Sequence, residues 1–566
     1  MVLSLPRTVQ DFMLLDWNDI EPYFRELEAR PLTAATVEAW LADWSDLWKL
    51  LDETRERLWV ATTLDTTDQE AEQRYLHFLQ TTNEHAEAAD FRLKRKLLDS
   101  GLIPEGFEIP LRNIRAKVEL FREENLPLLT QQEELHTEYR KIMGAQTVIW
   151  EGQERTIPQM FPLQHHLDRS VRERAWTLAA ERQLQDREAI NLLWQRYLDL
   201  RRKIAHNAGL SDFRAYRWKQ MLRFDYTPDD CKTFHDAIEQ VVVPAAERIY
   251  DKHRRLLGLD TLRPWDADVD PLGRPPLRPF QDAGELVSKV GNIIQRVDPQ
   301  LAGYYDSMVR AELLDLDNRQ GKAPGGYCTH FVAGQQAFIF MNAVGIHDDV
   351  QTLIHEAGHA FHNYEHFRLP YYHQLEITME IAEVASMSME LLAAPYLDGD
   401  NGFYSTKDAA RARIEHLEGI LRFWPYMAVV DAFQHWAYEN DQLAGDPANC
   451  DAKWAELWTR FMRGVDWSGL DDVKMTGWQR KLHIFEVPFY YVDYGLALVG
   501  ALQVWRNSLD DPQQALADYR RALSLGGTKP LPELFAAAGA TFAFDAGTLG
   551  ELVTLIEDTI ETLEKT

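Results

Sequence analysis

His355-Glu356-Ala357-Gly358-His359 reads His-Glu-x-x-His and lies inside an apolar repeat of helical spacing. Val350, Leu353, Ile354, Ala357, Ala360 and Phe361 recur three and four residues apart, which predicts a helix buried along one side. Side chains four apart share a helix face, so His355 and His359 project together. Two neutral imidazoles so placed can hold one Zn²⁺ at about 2.0–2.1 Å each. Glu356 falls on the same turn, within reach of a water on that metal, as the general base of zinc-assisted hydrolysis. Asp348 or Asp349 is expected to cap the first turn, and Pro370 requires the helix to end by Leu369. The plainer alternative is a surface helix carrying two histidines by chance, and the apolar stripe argues against it.

A catalytic zinc takes three protein ligands and leaves a fourth position open. The pattern His-Glu-x-x-His-x-x-Gly-x-x-His fails here, because position 362 is His and position 365 is Glu. The other common source is a carboxylate on a following helix. Glu376, Glu380, Glu383 and Glu390 stripe one face of the segment 376–390, and carboxylates on an otherwise apolar helix are costly to bury without a cation. Spacing does not choose between Glu380 and Glu383. His362 and His366 lie near the zinc-helix face; His362, seven residues after His355, shares the ligand stripe and is read as a packing or supporting residue. His165, His166, His330 and His347 have no partner spacing.

Further stretches stand out beside the motif helix: Lys322-Ala323-Pro324-Gly325-Gly326-Tyr327-Cys328, Phe338-Ile339-Phe340-Met341-Asn342, the run from Asp348 to His362, Glu383-Val384-Ala385-Ser386 with Glu390, His483, Pro488–Tyr494, and Gly526-Gly527-Thr528-Lys529-Pro530. Taken in this order, they resemble the thimet oligopeptidase and oligoendopeptidase F family of zinc metallopeptidases, nearer the oligoendopeptidase F branch. The resemblance covers most of the chain and is strongest from about 320 to 500. It implies Glu383 as the third zinc ligand, with Glu390 orienting a zinc-bound imidazole. It also implies that His483 and the tyrosines at 490–494 face the scissile bond, where a phenol or imidazole donor can stabilise an oxyanion. Tyr490 and Tyr494 are one helical turn apart and point together, whereas Tyr491 is off that face. Pro488 marks the start of their helix. We take His483, Tyr490 and Tyr494 with Glu356 as candidate catalytic residues, and Gly325, Gly326 and Tyr491 as candidate substrate-binding positions.

Tyr327, Thr329 and Phe331 alternate, and Ala337–Met341 forms a short apolar run after Gly334-Gln335-Gln336. Two strands are expected, whose edge could take an extended peptide by backbone pairing. Residues 147–157 read as a small hairpin. Val37, Trp40, Leu41, Trp44, Leu47, Trp48 and Leu51 hold helical spacing behind Thr33 or Thr36 as cap and are read as core.

The chain has 566 residues, 45% of them hydrophobic, which is enough for a large core. No low-complexity linker or fixed-period repeat divides it. The expected architecture is mostly α: a two-lobed helical zincin-type body with a small β-sheet beside the zinc helix. The resemblance adds a deep central channel between the lobes. Residues 1–200 form the amino-terminal lobe and 201–566 the catalytic one. The 60 Lys and Arg against 89 Asp and Glu give a net charge of −29, which disfavours nucleic acid and anionic membranes as partners. Cys231, Cys328 and Cys450 show no paired spacing and suit a reducing compartment, and neither an export leader at Met1–Arg7 nor a membrane span is read. A cytoplasmic location follows as an expectation.

The function expected is a zinc endopeptidase, with one Zn²⁺ on His355, His359 and Glu383, cutting short unfolded peptides. Two rivals stand beside it. A carboxypeptidase on a similar scaffold needs a basic anchor near the zinc, and the scattered Arg and Lys nominate none. A catalytically silent peptide-binding protein would keep the cavity without turnover.

Overall fold

The apolar repeat around the His-Glu-x-x-His stretch folds as one helix, His347–His366, closed by the Phe367 N–H donating to the Asn363 carbonyl. These are features of a computed structural model that describes residues 5–566; the first four residues of the stretch read for a leader lie outside it. The buried side of this helix is the predicted one: Val350, Leu353, Ala357, Ala360 and Phe361 are fully enclosed. Its start differs from expectation. Ile346 is the cap residue, Asp348 caps nothing, and Asp349 reaches backward instead of into the first turn. One Asp349 oxygen accepts the backbone N–H groups of Val344, Gly345 and Ile346 at 2.8–2.9 Å. That carboxylate therefore fixes how the preceding loop enters the motif helix. Asp349→Ala is expected to lower stability by about 2–4 kcal/mol, since three donors lose a charged acceptor. Urea unfolding of variant and parent measures it.

A second helix, Met379–Ala393, packs across the first. Glu376, placed on it by the sequence stripe, lies ahead of its first turn and pairs instead with Lys117. The two helices meet at Gly358. A Cβ there would lie 2.6 Å from Ser386 Cα and 2.8 Å from the Ala385 carbonyl oxygen. Any larger residue at this position would drive the two backbones apart.

The sheet beside the motif helix has three strands in the order β3-β5-β4. β4 (Tyr327–Phe331) and β5 (Gln336–Ala343) form the expected antiparallel pair, with Thr329 opposite Phe338. β3 (Leu314–Asp317), unforeseen from sequence, runs parallel to β5. Its Leu-Asp-Leu-Asp alternates, but no hairpin turn joins it to its partner. β4 is left as an edge. Elsewhere β1 (Thr147–Trp150) and β2 (Gln153–Thr156) form the expected hairpin. Its turn residues, Glu151 and Gly152, both have positive φ, 51° and 80°, the backbone that a two-residue hairpin of this twist requires.

The remainder is helical. In the helix Val37–Leu64 the residues Trp40, Trp44 and Trp48 are buried as expected, and Trp44 and Trp48 both donate their indole N–H to Asp90. Thr36 is its cap residue but makes no side-chain bond to the first turn. One buried core runs from Val9 to Ile114. A second gathers residues from Leu120 to Ile560, on both sides of position 200, and a third joins the sheet to the motif helix. Among the described residues no helix is long and apolar enough to cross a membrane.

Candidate metal centre

The close crossing at Gly358 brings Glu383 onto the imidazoles. Its Oε2 lies 3.3 Å from His355 Nε2 and 3.6 Å from His359 Nε2, and the three donor atoms sit within 4.8 Å of one another. A cation bound tetrahedrally at about 2.0–2.1 Å spaces its donors about 3.3–3.4 Å apart. The cluster is therefore shaped for one small divalent ion. Glu383 is buried while both imidazoles keep about a fifth of their side-chain surface, so the group is open on the histidine side. Ser386 donates to Glu383 Oε2 at 2.8 Å and holds it in place.

Each carboxylate on this helix has its own cation or donor. Glu380 accepts from Tyr226 at 2.7 Å and pairs with Arg223 at 3.5 Å, turned away from the histidines. Of the two carboxylates that spacing left open, only Glu383 stands beside both imidazoles, while Glu380 is engaged by Tyr226 and Arg223. Glu390 Oε1 accepts the Nδ1–H of His355 at 2.6 Å, and its other oxygen lies 3.0 Å from His416 Nε2. Despite burial, those two histidines hold Glu390 down to about 2. The bond to Glu390 leaves the His355 Nε2 lone pair facing the metal position, as an outer carboxylate does for a ligating histidine. A backbone hydrogen bond to Ala382 steadies the His359 ring.

Glu356 is not a member of the ligand cluster. It lies beside it, buried, and burial pushes its carboxyl up to about 7 against the pull of His355. A backbone hydrogen bond from Cys328 ties it to β4, so the open edge of the sheet and the carboxylate adjoin. Gly325 and Gly326 are exposed just ahead of that strand. Gly325 has φ +98°, and a Cβ on Gly326 would press on Thr352 Cγ2 at 3.4 Å.

The aromatic side of the site comes from the turn 483–490 and the helix Tyr491–Asp510. Tyr490 caps that helix, and its hydroxyl lies 3.5 Å from Glu383 Oε1. The Tyr490 and Tyr494 rings meet at 5.2 Å, as one-turn spacing requires. The His483 ring stands 6.0 Å from Tyr490 and 6.1 Å from Tyr494. Its Nδ1 is buried without a partner, and burial with the charge of Lys481 lowers it to about 4, leaving a neutral ring. Tyr491 is closer to His483 than either, at 4.7 Å, but is buried against Phe423 and Tyr426. His362 and His366 are buried beside each other at 5.2 Å, and neither His362 nitrogen has a partner.

Residues 163–553 match the family model for Peptidase family M3. The chain belongs to that family. An oligoendopeptidase F homolog of Borreliella burgdorferi is 22% identical over 369 residues, 62% of this M3 chain and 60% of that protein. The chain spans between 46% and 60% of the curated relatives it matches. Among solved structures, PZ peptidase A with an inhibitor is 26% identical over 99% of both chains, with a TM-score of 0.85. A structure provisionally assigned to oligoendopeptidase F is 27% identical over 97% of both, with a TM-score of 0.86.

In this M3 chain, sequence reasoning missed His416, Arg223 and Lys481. His416 carries no motif spacing, because it reaches Glu390 from the separate helix Thr406–Glu439. Arg223 is one of several buried arginines, with Arg172, Arg201 and Arg411. Its only signal was the set of carboxylates it neutralises. Lys481 stands two residues before His483 and meets Tyr491 and Tyr426 only through the fold.

Proposed function

We propose that this M3 chain is a zinc endopeptidase acting on short unfolded peptides. One observation carries the reading: a single Glu383 oxygen lies within 3.6 Å of both imidazole nitrogens, with Glu356 on the same turn as the histidines. His355, His359 and Glu383 hold the ion. A Zn²⁺ bound there supplies a Lewis acid that lowers the pKa of its water towards about 7 and polarises the scissile carbonyl. Glu356 accepts the proton of the attacking water and returns it to the leaving amine. His483, Tyr490 and Tyr494 donate hydrogen bonds to the oxygen that gathers negative charge. Glu390 fixes the His355 tautomer throughout. The edge of β4 aligns the peptide by backbone pairing, with Gly325, Gly326 and Tyr491 beside it. We further propose that the channel between the lobes 1–200 and 201–566 admits unfolded chains only, and that the protein works in the cytoplasm.

Mass spectrometry of a defined peptide mixture tests this. Internal cuts are expected with zinc, none after 1,10-phenanthroline, and recovery on adding zinc back. Cleavage confined to the last residue of free-ended peptides favours a carboxypeptidase. No cleavage by the zinc-loaded protein leaves only peptide binding.

A further inference from the structure

Lys481 is a cation without an anion in a chain that carries 89 acidic residues against 60 basic ones. It is half-buried in the wall that bears His483, with its Nζ 3.8 Å from the Tyr491 ring centre and 5.2 Å from that of Tyr426. Burial draws its ammonium down to about 8, and no acidic group acts on it in return. Arg480, next to it, spends one N–H on the Val473 carbonyl and likewise has only tyrosines for electrostatic company. The two ring faces attract the ammonium of Lys481, but they offer no oxygen to its three N–H donors.

Lys322 and Arg223 are enclosed cations that do meet anions. The Lys322 ammonium, wholly enclosed, donates to the Asp315 carboxylate and to the carbonyls of Asp315, Asp317 and Met341. Arg223 is matched by Asp493 and Glu380. Lys481 has neither arrangement; its ammonium lies over the Tyr491 ring, which in turn meets the His483 ring at 4.7 Å. The legs of 3.8 Å from Nζ to the Tyr491 ring and 4.7 Å on to the His483 ring put the ammonium within two to three residues of extended peptide from His483, at about 3.3 Å each.

We propose that Lys481 is a specificity-determining residue that binds a carboxylate of the peptide, two or three residues from the cleaved bond. The carboxylate is either the peptide's own C-terminus or an Asp or Glu side chain. The inference rests on the peptidase reading. It also names a basic anchor of the kind a carboxylate-reading peptidase needs.

Internally quenched peptides of one length test it. One series carries Glu or Gln at the second and third positions on either side of the cut. The other ends three residues beyond the cut as free acid or amide. The reading is the ratio of kcat/KM between acidic and neutral members, which is independent of the active fraction of a preparation. The wild type is expected to favour the carboxylate by about tenfold or more, as a charge-assisted hydrogen bond does. The series that shows the ratio identifies the source. Lys481→Met should bring the ratio to about one, and Lys481→Glu should take it below one. A ratio near one in the wild type in every series, or an unchanged ratio in Lys481→Met, overturns the proposal. Fluorescence anisotropy of the same peptides on Glu356→Gln reads the preference without turnover. Preference in binding with no hydrolysis by the wild type would keep Lys481 and remove the peptidase reading. Hydrolysis without preference would do the opposite.

Discussion

Glu356→Gln is expected to reduce kcat by about 10³-fold, or about 4 kcal/mol of barrier, while zinc content stays at one per chain. The two outcomes separate because the carboxylate adjoins the ligand cluster without entering it. Glutamine preserves the shape and one hydrogen-bond acceptor but cannot take a proton. The buried position of Glu356 also keeps bulk water from replacing the base. Metal analysis of the purified variant and initial rates on one quenched peptide decide the matter. A variant that retains zinc and more than a tenth of the activity would remove Glu356 from the chemistry. Loss of zinc together with activity would mean that the carboxylate is part of the ligand set.

The second large effect is expected at Gly358, which contributes no functional group at all. A methyl group there would stand 2.6 Å from Ser386 Cα, well inside any tolerated contact, and the obstacle is backbone that cannot rotate away. The helix Met379–Ala393 must retreat by about 1 Å, and Glu383, less than one turn before Ser386, retreats with it. Overpacking of this kind typically costs about 1–3 kcal/mol and more when backbone must move. Gly358→Ala should therefore unfold at lower urea and bind zinc at least about tenfold more weakly in competition with a chelator. Gly419→Ala supplies the control. That glycine is also helical, but nothing lies within 4 Å of its missing Cβ, so alanine should be neutral or mildly stabilising. If Gly358→Ala keeps full zinc affinity, the tight crossing is not what positions the ligand.

The metal side of the site was legible because it is local. His355, Glu356 and His359 need only the periodicity of a single helix, and β4 and β5 announce themselves by alternation and an apolar run. Glu383 required more. Its helix was readable, but which carboxylate stands beside the imidazoles shows only in the fold, where Arg223, more than 150 positions earlier, engages Glu380. The cap of the motif helix was misread for a related reason. Asp349 has the composition of a cap, yet its oxygen is taken by amides of the loop behind it. His416 and Lys481 were invisible because each acts across a tertiary contact, with no pattern along the chain. β3 pairs in parallel with β5 and so has no adjoining hairpin turn to announce it, unlike the equally short β1 and β2 around Glu151-Gly152.

Arg223 has a mechanical consequence as well. It donates to the Phe489 carbonyl at 2.5 Å and joins Asp493 to Glu380, while Phe489 is held at φ +64° with its N–H on Gln434 at 2.7 Å. The turn that aims Tyr490 and the helix that carries Glu383 are thereby riveted to one buried guanidinium. In any motion of the chain, Tyr490 and Glu383 therefore travel as a single plate. Opening and closing must be absorbed by the parts of the molecule that lie outside this plate.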